Sequence, residues 1–501
     1  MAVSSGLSLS SQSIVGRSTW ALSWPLALGL VMFVFLMNAN GLPLLGDPDS
    51  HWHIAVGNWI FEHRSVPDVD IYSFTFAGQP WIAKEWLSQI LLAGAYDVAG
   101  WGGAVALGAA AFAATFALLL RLLLRDIKPA PAILFVAVAI AMTAPHMLAR
   151  PHALAMPFML LWVAGLVRAA EEHRAPDPWL LVCMLLWANL HGGFTLGLML
   201  AGAFALEALF SARDAVERKA LFFAWLKFGI AAGLAACITP YGPESILVTL
   251  RIFNIGDSLK LISEWRSPDF QSQPMQELVL LVALYLALSR GLRLPLFRLL
   301  VVLGLVHLFL RYARNAELLA LLAPLVIAPV LARQWPSIRP DQETAGRGAG
   351  GLLNRLAGPA GPGATALGLT VATVFATGMI RFAGIAPPDA NTPSAALAYA
   401  REAGLKGHVF NHYGFGGYLI GAGVPTFIDG RGELYGGEFI KRYAEAVNLR
   451  GDEPFEALLE RWHIDWTLLA KDAPANKLLA RLPGWHQAYT DDQATIFVRD
   501  R

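Results

Sequence analysis

Apolar residues in this chain fall into long runs separated by short polar clusters. Runs such as Ala104 to Leu120 carry no polar positions at helical period, so they lack the two-sided pattern of a helix on a soluble protein. About 20 apolar residues, at roughly 1.5 Å each, cross the ~30 Å hydrocarbon core of a bilayer. The pattern predicts spans near residues 20–40, 101–124, 130–145, 153–169, 178–190, 193–210, 220–239, 275–289, 294–310, 313–332 and 365–383, about eleven in all. The two short segments around His191 read as a tight helical hairpin. After residue 393 the pattern changes. Helix-like segments at 394–404, 437–447, 453–463 and 474–481 alternate with strand candidates His408–Asn411, Thr426–Asp429, Trp466–Ala470, Trp485–Thr490 and Thr495–Arg499. That alternation predicts a small α/β domain, its last two strands joined as a hairpin across Asp491-Asp492-Gln493.

Composition agrees with a membrane protein. Of 501 residues, 56% are hydrophobic and 15% charged, and the mean hydropathy is +0.50; soluble chains carry about 25% charge. The net charge of +1 excludes a basic nucleic-acid footprint. The two cysteines, Cys183 and Cys237, sit inside apolar runs, which argues against a disulfide framework or a Cys-rich metal site. The Ser-rich N-terminus lacks a cleavage pattern, so the first apolar run reads as an uncleaved span.

Lys and Arg set the orientation. Arg17, Arg121, Arg125, Lys128, Arg168, Arg174, Arg213, Arg218, Lys219, Arg290, Arg293 and Arg333 to Arg355 fall on one side, read as cytoplasmic. The chain then divides into a cytoplasmic tail (1–19), a membrane core (20–336) with a large outer loop (41–100), a Gly/Pro/Arg-rich cytoplasmic linker (337–364), a last span (365–383) and an outer domain (384–501). The expectation is a multi-pass α-helical protein of the bacterial cytoplasmic membrane, with a small C-terminal α/β domain on the outer face.

The unusual polar motifs, which played no part in that count, all collect on the outer side. Gly46-Asp47-Pro48-Asp49-Ser50-His51-Trp52-His53 follows the first span. Asp-x-Asp can hold a divalent cation through oxygen ligands, or supply a general base; Asp-Pro-Asp is also an ordinary turn. His51 and His53 can bind a ligand or bond within the loop. Trp52 and Trp59 favour the membrane–water interface, so residues 54–63 are expected to lie along it. Glu85 heads another apolar stretch, either as a second catalytic acid or as a first-turn carboxylate favoured by the helix dipole. Arg150-Pro151-His152, Asn189-Leu190-His191-Gly192, Glu264-Trp265-Arg266-Ser267-Pro268 and Arg311 to Asn315 mark other outer turns. Arginine's planar fork suits phosphate, although Arg150 and Arg311 can simply snorkel at span ends. In the tail, Asp429-Gly430-Arg431 either ends a strand or closes over the membrane site.

Together these runs, with Pro80-Trp81, Glu85-Trp86-Leu87, Gly416-Gly417-Tyr418-Leu419-Ile420 and Phe427-Ile428-Asp429-Gly430-Arg431, resemble a bacterial family of multi-span proteins of GT-C glycosyltransferase architecture, distantly similar to oligosaccharyltransferases and protein O-mannosyltransferases. The resemblance covers nearly the whole chain. It implies a sugar donor linked to polyprenyl phosphate, a glycan, lipid or protein acceptor on the outer face, and a tail that binds acceptor or caps the site. Carried onto this sequence, the acidic motif falls on Asp47 and Asp49, as base or as ligands of Mg²⁺ or Mn²⁺; Glu85 and Glu264 are candidate catalytic acids beside them, not part of that motif. Donor-phosphate contacts fall among Arg150, Arg266, Arg311 and Arg314; His51, His53, His152, Asn189, His191, Asp429 and Arg431 complete the candidate substrate contacts. Two other readings compete. A transporter or lipid flippase needs ionisable groups along the midplane, for which Lys227, Glu207 and His307 are few; a non-catalytic envelope-assembly scaffold needs no convergent site.

Overall fold

The computed structural model describes residues 18–38, 44–251, 265–340 and 349–500. Glu264 and part of the 337–364 segment lie outside the described residues. The membrane half runs α1 (Trp24–Asn38), α2 (Ser50–His63), α3 (Trp86–Leu123), α4 (Pro129–Thr143), α5 (Pro151–Glu171), α6 (Leu180–Leu190), α7 (Phe194–Phe210), α8 (Ala215–Ala236), α9 (Glu244–Arg251), α10 (Pro274–Ser289), α11 (Leu296–Arg311), α12 (Ala316–Gln334), α13 (Ala349–Arg355) and α14 (Pro362–Phe382). Among the described residues, six helices are long and apolar enough to cross a membrane: α3, α4 with the 3-10 turn after it, α5, α8, α12 with the 3-10 turn before it, and α14; α1, α6, α7 and α10 are shorter apolar helices. Each segment read from the sequence as a span falls on one of these or on α11.

The outer-loop stretch from Leu87 and the span near 101–124 meet within α3 as two helices across a kink, where Ala99 and Gly100 leave helical geometry. Gly100 has φ +56, a left-handed conformation that glycine adopts without a Cβ penalty. α1, α3, α5, α6, α7 and α12 share one core in which Phe112, Phe116, Trp162, Trp187 and Phe204 are fully buried. Leu281, Leu284 and Leu288 of α10 and Val371 and Val374 of α14 are exposed apolar residues, as a lipid-facing surface requires.

A charged side chain lies wholly inside this bundle. Arg298 of α11 is fully buried; its Nε donates to Glu207 Oε1 at 2.8 Å, and its Nη1 lies 2.8 Å from Glu171 Oε1 and donates to the Val326 carbonyl at 3.2 Å. It therefore ties α11 to α5, α7 and α12. Arg333 also reaches Glu171 Oε1, at 2.9 Å. Removing one partner of a buried ion pair costs about 3 kcal/mol because the other charge is stranded. Arg298→Met is expected to lower the thermal midpoint in detergent by that equivalent; an unchanged midpoint would show that the network contributes nothing.

The tail contains α15 (Ser394–Glu402), β1 (His408–Asn411), α16 (Gly416–Gly421), α17 (Gly432–Val447), α18 (Phe455–Arg461), β2 (Ile464–Ala470), α19 (Pro474–Leu479), β3 (Trp485–Thr490) and β4 (Ala494–Arg499). The sheet order is β1-β2-β4-β3, with β1 parallel to β2 and the other pairs antiparallel. β3 and β4 form the expected hairpin. Thr426–Asp429 is not a fifth strand. The Asn411 side chain takes the place of a ladder there, accepting from Phe427 N at 2.8 Å and donating to Ile428 O at 2.8 Å. The backbone of Thr426 pairs instead with the 41–100 loop: Thr426 N donates to Tyr72 O and Phe74 N to Thr426 O, both at 3.1 Å. The tail thus sits on that loop, at one end of the helix bundle.

Candidate active site

Two prolines build the centre of the site. Pro151 occupies the first turn of α5, a position proline suits, and it disfavours helix at the residue before it. Arg150 accordingly takes an extended conformation (φ −123, ψ 165) at the N-cap of α5. Pro48 separates two acids, and Asp49 becomes the N-cap of α2. The Asp49 side chain makes no capping bond. It pairs instead with Arg150 Nη2, while Arg150 Nε lies 2.5 Å from Asp47 Oδ2. Asp47 Oδ1 accepts from the Asp49 backbone N–H at 3.2 Å. A guanidinium at a helix N-terminus opposes the dipole; the two carboxylates offset it.

The tail closes on this clamp by backbone contact. A Cβ on Gly430 would collide with the Asp49 carboxylate, and a Cβ on Gly417 would collide with the Pro48 carbonyl. Both motifs singled out in the tail sequence therefore abut the Asp-Pro-Asp loop, and glycine is needed at both points for the approach. His51 packs edge-on against Trp101 and the tail's Tyr418, and burial lowers its pKa to about 4.

Beside the clamp lies a second buried group. Glu85 is at the N-cap of α3 and, like Asp49, makes no capping bond. His191 Nε2 is 3.6 Å from Glu85 Oε1, and His53 Nε2 is 4.0 Å from Oε2. Burial pushes the Glu85 carboxyl up, against the pull of Lys84, Arg150 and Arg314. Burial holds His53 and His191 well below the ordinary imidazole value, helped for His53 by Arg150 and for His191 by His152. His152 approaches Glu317 Oε2 at 3.6 Å, and its ring centroid is 6.3 Å from that of His191.

Other candidate residues are placed differently. Asn189 uses its amide to hold three elements: it accepts from Trp86 Nε1 at 2.8 Å and donates to Leu185 O at 2.7 Å and Ile238 O at 2.9 Å. Asp429 and Arg431 are fully buried and face each other and the 41–100 loop. Arg431 donates to Asp429 at 2.8 and 2.7 Å and to Asp70 at 2.6 Å, and its guanidinium lies over the Trp81 ring at 4.8 Å. Tyr435 donates to Asp429 at 2.6 Å. This pair fastens the tail to the loop. Arg266 and Arg311 are exposed; Arg311 stacks on Tyr312, and Arg314 lies over Trp265 at 4.7 Å.

Lys84 and Glu433 escaped the sequence reading. Lys84 Nζ lies 2.6 Å from Glu433 Oε1. Burial opposes the Lys84 charge, but Glu433 and Glu85 outweigh it and leave its pKa raised. The partners are 349 residues apart, so no local spacing announces them.

A divalent cation bridging Asp47 and Asp49 would place its charge where the Arg150 guanidinium stands. Among the described residues no three His, Cys, Asp or Glu side chains gather as a metal cage. In this structure the two carboxylates are spanned by the Arg150 guanidinium.

No protein-family model and no curated protein matches this sequence. Solved structures do. ArnT from Cupriavidus metallidurans bound to undecaprenyl phosphate aligns with TM-score 0.51 at 12% identity, over 94% of this chain and 97% of that one. Apo ArnT aligns with the same score and identity over 94% and 96%. The apo oligosaccharyltransferase from Archaeoglobus fulgidus gives a TM-score of 0.49 at 10% identity, over 89% of this chain and 69% of that one. The chain is thus a polytopic α-helical membrane protein of GT-C-like fold with a small C-terminal α/β domain.

Proposed function

We propose that this protein is a glycosyltransferase that moves a sugar from a polyprenyl-phosphate carrier to an acceptor hydroxyl at the membrane face carrying the tail, and that this face is the outer one. The observation that carries the reading is the convergence of Asp47, Asp49 and Arg150, from a loop and a helix start 101 residues apart, under a tail that touches them through Gly417 and Gly430. Charged groups grouped at one membrane surface serve chemistry there better than passage through the bilayer. The intramembrane cation Arg298 is tied into ion pairs with Glu171 and Glu207, and Lys227 and His307 face outward, which gives a transport path little support. The Lys/Arg bias of the loops supports the outer assignment. Undecaprenyl phosphate is the ligand named for one ArnT structure, and a lipid phosphate is a fitting ligand here.

In this reading the sugar phosphate enters from the lipid side and its phosphate meets Arg150 and Arg314. A fixed guanidinium stabilises the charge that grows on the leaving phosphate. Asp47 and Asp49 hold Arg150 in place and, with the glycine motifs of the tail, define where the acceptor sits. Exclusion of water by the tail strengthens each of these interactions.

The test is binding of undecaprenyl phosphate to purified protein in nanodiscs. Wild type is expected to bind saturably, and Arg150→Gln at least about tenfold more weakly, the loss of one charge-assisted contact. Equal affinity of the two would remove Arg150 from the donor site.

A further inference from the structure

Transfer to a hydroxyl releases one proton, and Asp47, Asp49 and Glu85 are carboxylates at the site. Two of them are already engaged. Asp47 and Asp49 share the Arg150 guanidinium, and an adjacent positive charge stabilises the carboxylate form. Glu85 is held differently. Among the described residues neither of its oxygens takes a hydrogen bond; the imidazole nitrogens stand off at 3.6 and 4.0 Å, beyond hydrogen-bond length.

Tautomers follow from the other ring nitrogens. His191 Nδ1 accepts the Gly193 N–H at 3.2 Å, so its Nε2 carries the proton and turns it towards Glu85. The Gln89 amide nitrogen lies 3.4 Å from His53 Nδ1, which gives His53 the same tautomer. Both imidazoles thus offer N–H groups to Glu85, and neither has a lone pair on that side. Among Glu85, His53 and His191, the carboxylate is the acceptor. Its side chain keeps 14% of its surface, and that of His191 keeps 22%, so an incoming hydroxyl can reach it. The charged groups that act on it are Lys84, Glu433, Arg150 and Arg314; His152 and Glu317 lie behind His191.

We infer, resting on the glycosyltransferase reading, that Glu85 is the proton acceptor for the acceptor hydroxyl, with His53 and His191 as positioning residues that hold its two oxygens in place. In the step, the acceptor O–H bond breaks and its proton goes to a Glu85 oxygen. The freed oxygen pair forms the new bond to the sugar's anomeric carbon. The bond from that carbon to phosphate breaks, and its electron pair leaves with the phosphate beside Arg150. Glu85 then returns the proton to water. The raised pKa of Glu85 makes it a stronger base than an ordinary carboxylate, and the rate should fall as pH drops through a value above about 4.3.

The test uses full-length protein in nanodiscs and a bacterial lipid extract whose polyprenyl-phosphate sugars carry a metabolic label. Glu85→Gln should bind undecaprenyl phosphate as wild type does, yet release label from the polyprenyl fraction about a thousandfold more slowly, in the range of general-base loss. Its rate should also lose the acidic limb. Glu85→Asp should recover part of the rate, and His191→Asn should move the limb without abolishing donor binding. An independent readout needs no substrate: a buried carboxylic-acid carbonyl band in the infrared pH titration, present in wild type and absent in Glu85→Gln. Wild-type release that Glu85→Gln matches, limb included, would overturn the inference alone. So would identical infrared titrations. No release by wild type itself overturns the glycosyltransferase reading, and this inference with it.

Discussion

Asp49→Asn is expected to lower sugar transfer by about three orders of magnitude, the scale seen when a preorganised electrostatic element is removed, and Asp47→Asn by a similar factor. The reason is geometric. Each asparagine keeps the shape of the aspartate but loses the charge that holds Arg150 in place between the two acids. Freed from one partner, the guanidinium shifts, and a displacement of about 1 Å at a reacting centre costs roughly a hundredfold. The fold should survive, because the Arg150 side chain keeps 15% of its surface and an amide oxygen still accepts from it. The measurement is label release from the lipid extract, beside a thermal midpoint for each variant. Full activity in both variants would remove the pair from the reaction.

The second large effect is structural. Arg431→Met is expected to detach or unfold the tail, at a cost of about 5 kcal/mol. It strands Asp429 and Asp70, both fully buried. Limited proteolysis should release the tail from the variant under conditions where wild type stays whole; equal resistance would contradict the account. The same network predicts an acid sensitivity. Burial works against the Asp429 charge, but Arg431 and the Tyr435 hydroxyl outweigh it and hold its pKa below the ordinary value. A carboxyl depressed in the folded state adds stability above its unfolded pKa of about 3.9, and that stability is lost as pH falls through the lower folded value. The tail should therefore stay docked at pH 5 and loosen in stronger acid.

Much of the architecture was legible because it follows from length and polarity. Runs of apolar residues lie on the helices, and four of the five strand candidates lie on strands nearly to the residue. The exception teaches more. Thr426–Asp429 has the composition of a strand, yet its backbone is bonded to the Asn411 side chain and to Tyr72, partners that periodicity cannot supply. At Ala99–Gly100 the backbone leaves helical geometry, so the two segments that hydropathy separates meet as two helices across a kink. Within the site, Asp-Pro-Asp and Arg-Pro-His were visible as motifs, since proline places acid and arginine at helix starts. Their mutual contact was not, because it spans 101 residues. Asn189 and Arg431 looked like ligand residues by type; burial and saturated bonding give them structural work. Lys84–Glu433 joins the loop to the tail across 349 residues and left no local trace.

Label release measured separately in right-side-out and inverted membrane vesicles tests the central claim most directly. Wild type is expected to strip sugar from the polyprenyl fraction when acceptor is supplied at the outer face and to accumulate free polyprenyl phosphate, and Asp49→Asn to do neither. Label that stays on the carrier in wild type, or that leaves equally in wild type and Asp49→Asn, would contradict it.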